Sequence, residues 1–307
     1  MSSSSTPKDD SRITIVGAGT IGLSFVALHL QFTPPENITI CDTRPDLAQY
    51  VATTLPLYQS PPRHSIVSAI NLTSDLPSAV KNATIVQEQG PENLAFKSKI
   101  WETIEAHAPK DALLWSSTSG IVASAQNVNM KDKTRLLVVH PYNPPHIMPL
   151  LELVPSPQTS QAVIDQTLKF WRDRGREPVV IKKECTGFVA NRLAFALLRE
   201  SIHLVNEGVV TAEELDTVVE TSMGPRWAVA GPFKSYHAGG GARGLRGFFE
   251  NIGGTVQGCW DDGGKVNVGE GWEDALFEQA EEAYGWVDTG KRDRATKRVL
   301  EAVREES

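Results

Sequence analysis

The sequence predicts an α/β amino-terminal domain built on a doubly wound, mostly parallel sheet, followed by an all-α carboxy-terminal domain. Three observations predict it. Short apolar runs recur from Arg12 to Ile181 with helix-like or loop segments between them, the alternation required by a parallel sheet covered by helices. A glycine-punctuated turn joins the first run to an apolar helical pattern. Beyond Thr186-Gly187, strand-like runs become scarce and apolar residues fall at helical spacing.

In order, the strand-like runs are Arg12–Val16, Asn37–Cys41, Ser65–Ile70, Ala83–Glu88, Ala112–Ser116 and Leu136–His140. Leu150–Val154 and Pro178–Ile181 extend the same sheet and flank an amphipathic helix over Ala162–Arg174, where Val163, Leu168 and Trp171 share one face. Residues 1–11 read as a disordered polar tail, 12–186 as the sheet domain and 187–307 as the helical domain. Phe188–Asn206 is helical by spacing, and Thr211-Ala212-Glu213-Glu214 has the form of a capping box that starts a helix through Met223. The glycine-rich stretch His237–Gly254 reads as a mobile interhelical loop, because no strand precedes it and no Lys-Ser/Thr follows.

Composition bounds the function. A chain of 307 residues suits two domains, and 40% hydrophobic with 22% charged residues is ordinary for a globular protein. No apolar run approaches the roughly 20 residues of a membrane span. The net charge of -7 argues against nucleic acid or an anionic membrane as partner. Cys41, Cys185 and Cys259 lack CxxC spacing, so neither a metal site nor a disulfide framework is expected. With no targeting pattern in MSSSSTPKDD or the terminal REES, a cytoplasmic location is the expectation.

Gly17, Gly19 and Gly22 form GxGxxG directly after the strand Ile13–Val16 and at the head of the helical pattern Ile21–Leu30. Gly17 permits the tight turn, Gly19 lets backbone approach a pyrophosphate, and Gly22 lets helix and strand pack closely, with Thr20 and Ile21 in the helical turn that faces the anion. Asp42, twenty residues past Gly22 at the end of the second strand, is placed to accept from adenosine ribose hydroxyls. A carboxylate there repels a 2′-phosphate, so this Rossmann-type site favours NAD, with Arg44 leaving a small opening for NADP.

His140 ends an apolar strand of the same sheet, and Glu152 follows twelve residues later. Such sheets place ligands beyond the carboxyl ends of their strands. A neutral imidazole titrates near the working pH and can take a hydroxyl proton as hydride leaves carbon, with a carboxylate to orient the ring. A histidine at a strand end also serves as an ordinary hydrogen-bonded structural residue.

IVGAGTIG, QEQGPENLAFKSKI at 87–100, SSTSG at 116–120, HPYNPPHIMPLLELVP at 140–155 and TGFVANRL at 186–193 together resemble the L-3-hydroxyacyl-CoA dehydrogenase superfamily, specifically its lambda-crystallin or L-gulonate 3-dehydrogenase branch. The resemblance spans nearly the whole chain. It implies that His140 is the acid/base, Glu152 its partner, and Ser119 and Asn191 the polar groups around the reacting oxygen. It sets Glu92 and Lys97 beside the nicotinamide ribose, although a solvated helix face would carry the same pair. It also implies a homodimer through the carboxy-terminal domain.

Two features bear on substrate. Only about thirty residues separate Asp42 from Leu72, and Pro56, Pro61 and Pro62 interrupt them, leaving little room for the helical arm that holds CoA in the acyl-CoA enzymes. Arg226, in GPRWAVAGP, matches an arginine of the lambda-crystallin branch and could bind a carboxylate bidentately; a surface arginine would look the same. Trp227 reads as interdomain core. The expectation is NAD-dependent oxidation of a free 3-hydroxy acid, such as L-gulonate, to the 3-keto acid. The alternatives are a 3-hydroxyacyl-CoA or carnitine-type dehydrogenase, or a non-catalytic crystallin-like NAD-binding protein.

Overall fold

The computed structural model describes residues 10–59 and 61–306, so most of the expected tail lies outside the described residues. Residue contacts divide the chain between Arg192 and Leu193.

The first unit carries the strands β1 (Ile13–Val16), β2 (Ile38–Cys41), β3 (Asn71–Thr73), β4 (Ile85–Glu88), β5 (Leu113–Ser116), β6 (Leu136–Pro141), β7 (Leu150–Pro155) and β8 (Glu177–Val180). They form one sheet in the order β3-β2-β1-β4-β5-β6-β7-β8. Every pairing is parallel except β6 with β7. The interior strands β1, β4, β5 and β6 are buried along their whole length, as near-continuous apolar runs in a doubly covered sheet must be.

Side chains alternate between two cores. Ile13, Ile15, Leu137 and Val139 belong to one, with Trp115 and Trp171, while Val16, Val86, Leu136, Val138 and Val154 belong to the other, with Trp101 and Phe188. Period two then assigns His140 and Glu152 to the face of the second core.

Helices α1 (Thr20–His29), α2 (Leu47–Thr54), α3 (Leu76–Val80), α4 (Leu94–His107), α5 (Ala123–Gln126) and α6 (Gln161–Arg172) connect the strands. Helix α1 is buried from Gly22 to His29 because its sequence is apolar on all sides. Asn93 caps α4 by accepting from the Phe96 N–H, and Ser160 caps α6 by accepting from Val163.

One strand prediction fails. Ser65–Ile70 is largely a 3₁₀ helix over His64–Ala69, and the strand follows at Asn71–Thr73. Ile66, Val67 and Ile70 all pack toward the first core; a short apolar run satisfies that from either conformation, so its sequence does not choose between them.

After α7 (Ala190–Asn206), the second unit contains α8 (Ala212–Thr221), α9 (Met223–Val229), α10 (Pro232–Gly239), α11 (Gly244–Asp262), α12 (Glu273–Tyr284) and α13 (Thr289–Glu305). The capping box at Thr211 and Glu214 forms as expected, with both reciprocal hydrogen bonds. The glycine-rich stretch is not a loop: α10, a 3₁₀ turn over Gly241–Arg243 and α11 occupy it. A Cβ at Gly240 would overlap the Gly244 carbonyl, and one at Gly247 would lie 2.6 Å from the Gly240 oxygen. These glycines allow close backbone approach between helices rather than supplying slack. Trp227, expected in a core, is 38% exposed.

Candidate active site

The glycine turn closes on itself. Gly17 has φ +104° and donates its N–H to the Cys41 carbonyl at 2.9 Å, a conformation that a side chain resists. A Cβ at Gly22 would be driven into the Gly17 carbonyl, whereas one at Gly19 would meet nothing within 4 Å. The turn is thus tight beneath Gly22 and open above Gly19, next to the first turn of α1 with Thr20 and Ile21. Gly19, the N-cap, provides no side-chain acceptor for that turn's N–H groups, so they suit an anion.

Asp42 accepts from the Ala18 N–H at 2.7 Å and the Arg44 N–H at 2.8 Å, tying the end of β2 to the glycine turn. The Arg44 side chain is engaged elsewhere, 3.0 Å from Asp46 and 3.5 Å over the Tyr50 ring. Burial, with Asp42 and Asp75 adding repulsion, pushes the neighbouring Cys41 thiol up to about 11. An open Gly19, a free helix start and a carboxylate with no committed cation beside it fit a dinucleotide without a 2′-phosphate.

At the ends of β4 and β5 lies a buried ion pair that sequence reasoning missed. Lys97 Nζ sits 2.9 and 3.1 Å from the two Glu88 oxygens, and both side chains are sealed from solvent. Glu88 also accepts from the Gly90 N–H at 2.6 Å and from Ser116 Oγ at 3.2 Å. Lys97 is therefore not on a solvated helix face. A charged residue closing the apolar strand IVQE was the available signal, because a buried charge requires a partner.

Glu92 lies 3.9 Å from Lys97 Nζ. It accepts from the Thr118 hydroxyl and from the N–H groups of Ser119 at 3.2 Å and Gly120 at 3.0 Å, fixing the SSTSG loop. Thr118, also unanticipated, accepts in turn from the Ile121 N–H at 3.0 Å. Asn191 Nδ2 donates to the Ser119 carbonyl at 3.2 Å, so the structure brings Ser119 and Asn191 together.

His140 and Glu152 face each other in the β6–β7 register. The His140 Nδ1 to Glu152 Oε2 distance is 2.8 Å, and both residues are buried. The other oxygen, Oε1, accepts from the Val189 N–H at 2.8 Å and the Ala190 N–H at 3.0 Å, at the start of α7. Burial acts to raise the Glu152 pKa, but hydrogen bonds from His140, Ala190 and Val189 outweigh it and hold the carboxyl below its ordinary value. An ionised acceptor assigns a proton to Nδ1, so that in the neutral ring the lone pair is on Nε2.

Arg226 belongs to the second unit, on α9, with an exposed side chain. Among the described residues no cluster of His, Cys, Asp and Glu could hold a metal ion, and no helix is long and apolar enough to cross a membrane.

A doubly wound sheet with a glycine turn of dinucleotide-binding form and a carboxylate-bound histidine near the carboxyl end of a strand defines a nicotinamide-dependent oxidoreductase acting on a CH–OH group. Residues 12–185 match the family model for the 3-hydroxyacyl-CoA dehydrogenase NAD binding domain, and 187–259 match that for the C-terminal domain. The chain belongs to the 3-hydroxyacyl-CoA dehydrogenase family and uses NAD.

Among curated relatives, it is 34% identical over 263 residues to a 3-hydroxyacyl-CoA dehydrogenase of Gibberella moniliformis, covering 81% of this chain and 80% of that one. It is 31% identical over 307 residues to an L-carnitine dehydrogenase of Streptomyces griseus, covering 97% and 91%. Among solved structures, 5-formyl-3-hydroxy-2-methylpyridine 4-carboxylic acid 5-dehydrogenase, an NAD+ dependent dismutase, matches with TM-score 0.77 at 25% identity over 95% of this chain and 98% of that one. A 3-hydroxyacyl-CoA dehydrogenase of Archaeoglobus fulgidus shares the fold, with TM-score 0.68 at 23% identity over 96% and 98%.

Proposed function

We propose that this protein oxidises the 3-hydroxyl of a free 3-hydroxy acid of the carnitine type to the ketone, with His140 as acid/base. The observation that carries the reading is the Glu152 carboxylate on Nδ1 of His140 at 2.8 Å, which leaves Nε2 to accept a proton. Bound NAD would supply the acceptor for a hydride, the C3 hydrogen with both electrons of its bond to carbon. Nε2 takes the hydroxyl proton, and the electron pair of the O–H bond closes the carbonyl. Glu152 stabilises the imidazolium that results. The Ser119 hydroxyl and the Asn191 carboxamide suit the reacting oxygen, and Arg226 is our candidate to bind the substrate carboxylate. For the cofactor we assign Gly17, Gly19, Thr20, Ile21, Gly22 and Asp42, with Glu92 and Lys97 shaping the adjoining loop.

Relatives bearing the name L-carnitine dehydrogenase, which align along as much as 97% of the chain, support a small betaine-like acid ahead of L-gulonate. The name of the fungal relative favours a second reading, a 3-hydroxyacyl-CoA ester. Against it, the segment between Asp42 and Leu72 forms only α2 and two 3₁₀ turns among its described residues, Leu55–Tyr58 and His64–Ala69. We further infer a cytosolic homodimer paired through residues 187–307.

The test is NAD reduction with a panel of L-carnitine, L-gulonate, 3-hydroxybutyrate and 3-hydroxybutyryl-CoA. The highest kcat/KM is expected for L-carnitine. A higher value for the CoA ester would select the second reading, and NADH binding without turnover of any member would leave a non-catalytic binding protein.

A further inference from the structure

Phe188 has φ +54° and is the one non-glycine among the described residues with positive φ; Gly187 before it has φ +74°. Bulky residues avoid the left-handed region, and such outliers persist where the surroundings impose them. Two sets of contacts impose this one. The Phe188 ring is fully buried with Leu136, Val138 and Val154, and its centroid lies 5.2 Å from that of the His140 imidazole at an interplanar angle of 56°. The backbone is held by Phe188 N–H donating to the Cys185 carbonyl at 3.2 Å, and the next two N–H groups, of Val189 and Ala190, point at Glu152 Oε1.

We propose that Phe188 is the positioning residue of the His140–Glu152 pair: its ring fixes the imidazole plane, and its left-handed backbone, entered through Gly187, delivers two N–H donors to the far oxygen of Glu152. The inference rests on the acid/base reading of His140. Ring and backbone act on different members of the pair. The ring sets where Nε2 points, and the backbone turn locks the carboxylate that sets Nδ1. Glycine at 188 would relieve the backbone and lose the ring; a phenylalanine there keeps both functions in one residue.

Two substitutions separate the functions. Phe188→Leu keeps apolar volume but removes the aromatic plane, and kcat with L-carnitine and 3-hydroxybutyryl-CoA as probes is expected to fall roughly tenfold, with KM for NAD unchanged. In Gly187→Ala the added methyl has room, its nearest neighbours being Arg192 Cγ at 3.7 Å and Asn191 Cβ at 3.8 Å, so the variant tests the left-handed backbone alone. His140 is the ionisable group bonded to Glu152, and the Val189 and Ala190 N–H groups are its remaining partners. Loss of those N–H donors moves the Glu152 titration, followed by carboxyl ¹³C NMR, to higher pH. An unchanged kcat in Phe188→Leu together with an unmoved Glu152 titration in Gly187→Ala overturns the proposal. His140→Gln is the control for the underlying reading: full activity in that variant removes the acid/base role itself, whereas an inactive His140→Gln beside unaffected Phe188 and Gly187 variants removes only the positioning role.

Discussion

Glu152 and His140 sit opposite each other on the antiparallel strands β6 and β7, 2.8 Å apart through Oε2 and Nδ1, with the second carboxylate oxygen bound to the start of α7. One side chain thus holds the imidazole and accepts from the start of a helix.

Replacing Glu152 with Gln keeps the shape and removes the charge that stabilises the imidazolium in the proposed mechanism, and kcat is expected to fall roughly 100-fold or more. Stability should respond to pH as well. A carboxyl whose folded pKa is depressed contributes stability that is present above its unfolded pKa and is lost as pH falls through the folded value. Urea denaturation between neutral and acidic pH should show this acid loss in the wild type and a smaller one in Glu152→Gln.

Lys97→Met leaves Glu88 buried without its cation. Breaking a sealed pair by removing one partner costs about 3–5 kcal/mol, a loss measurable by urea denaturation. A cost below about 1 kcal/mol, typical of exposed pairs, would contradict the burial of both groups.

Gly19→Ala and Gly22→Ala should separate binding from folding. The methyl at Gly19 enters open space, so thermal stability holds, while the proposed approach of the pyrophosphate at that point predicts a roughly tenfold rise in the Kd for NAD. The methyl at Gly22 meets the Gly17 carbonyl and costs about 1–3 kcal/mol or more in the cofactor-free protein. Calorimetry of binding and of unfolding reads the two effects.

Cys41 is buried and its thiol is held near 11, so almost none is thiolate at pH 8. Iodoacetamide at that pH should label the exposed Cys259 and the partly exposed Cys185 in the native state, and Cys41 only after denaturation. Peptide mass analysis distinguishes the three.

Much of the geometry of the candidate site is legible in the sequence because its signals are local. The spacing of Gly17, Gly19 and Gly22 follows from a turn's own geometry, and Asp42 from its position at the next strand end. His140 and Glu152 share a face through period two and the register of one hairpin. Glu88 and Thr118 escaped because their partners, Lys97 and Glu92, come from separate segments that only tertiary packing brings together. Phe188 escaped for another reason: its importance lies in a φ angle, and nothing in TGFVAN states that a phenylalanine will be left-handed. Ser65–Ile70 and the helix at Gly244 show the converse, where apolar spacing and glycine content each fit two conformations and packing selects one.

The reversal of β7 has a further consequence. In an all-parallel sheet the partner of His140 would arrive only after a crossover helix, but a reversed strand brings it back within twelve residues. The His140–Glu152 contact is therefore short-range and closes a loop of twelve residues, whereas the Ala18–Asp42 contact closes one of 24; the Val189 and Ala190 N–H groups reach Glu152 from 37 and 38 residues away. Short-range contacts cost the least chain entropy to form, so the hairpin can bring His140 and Glu152 together early in folding, and the α7 N–H groups and the Phe188 ring join them only when the later chain packs against it.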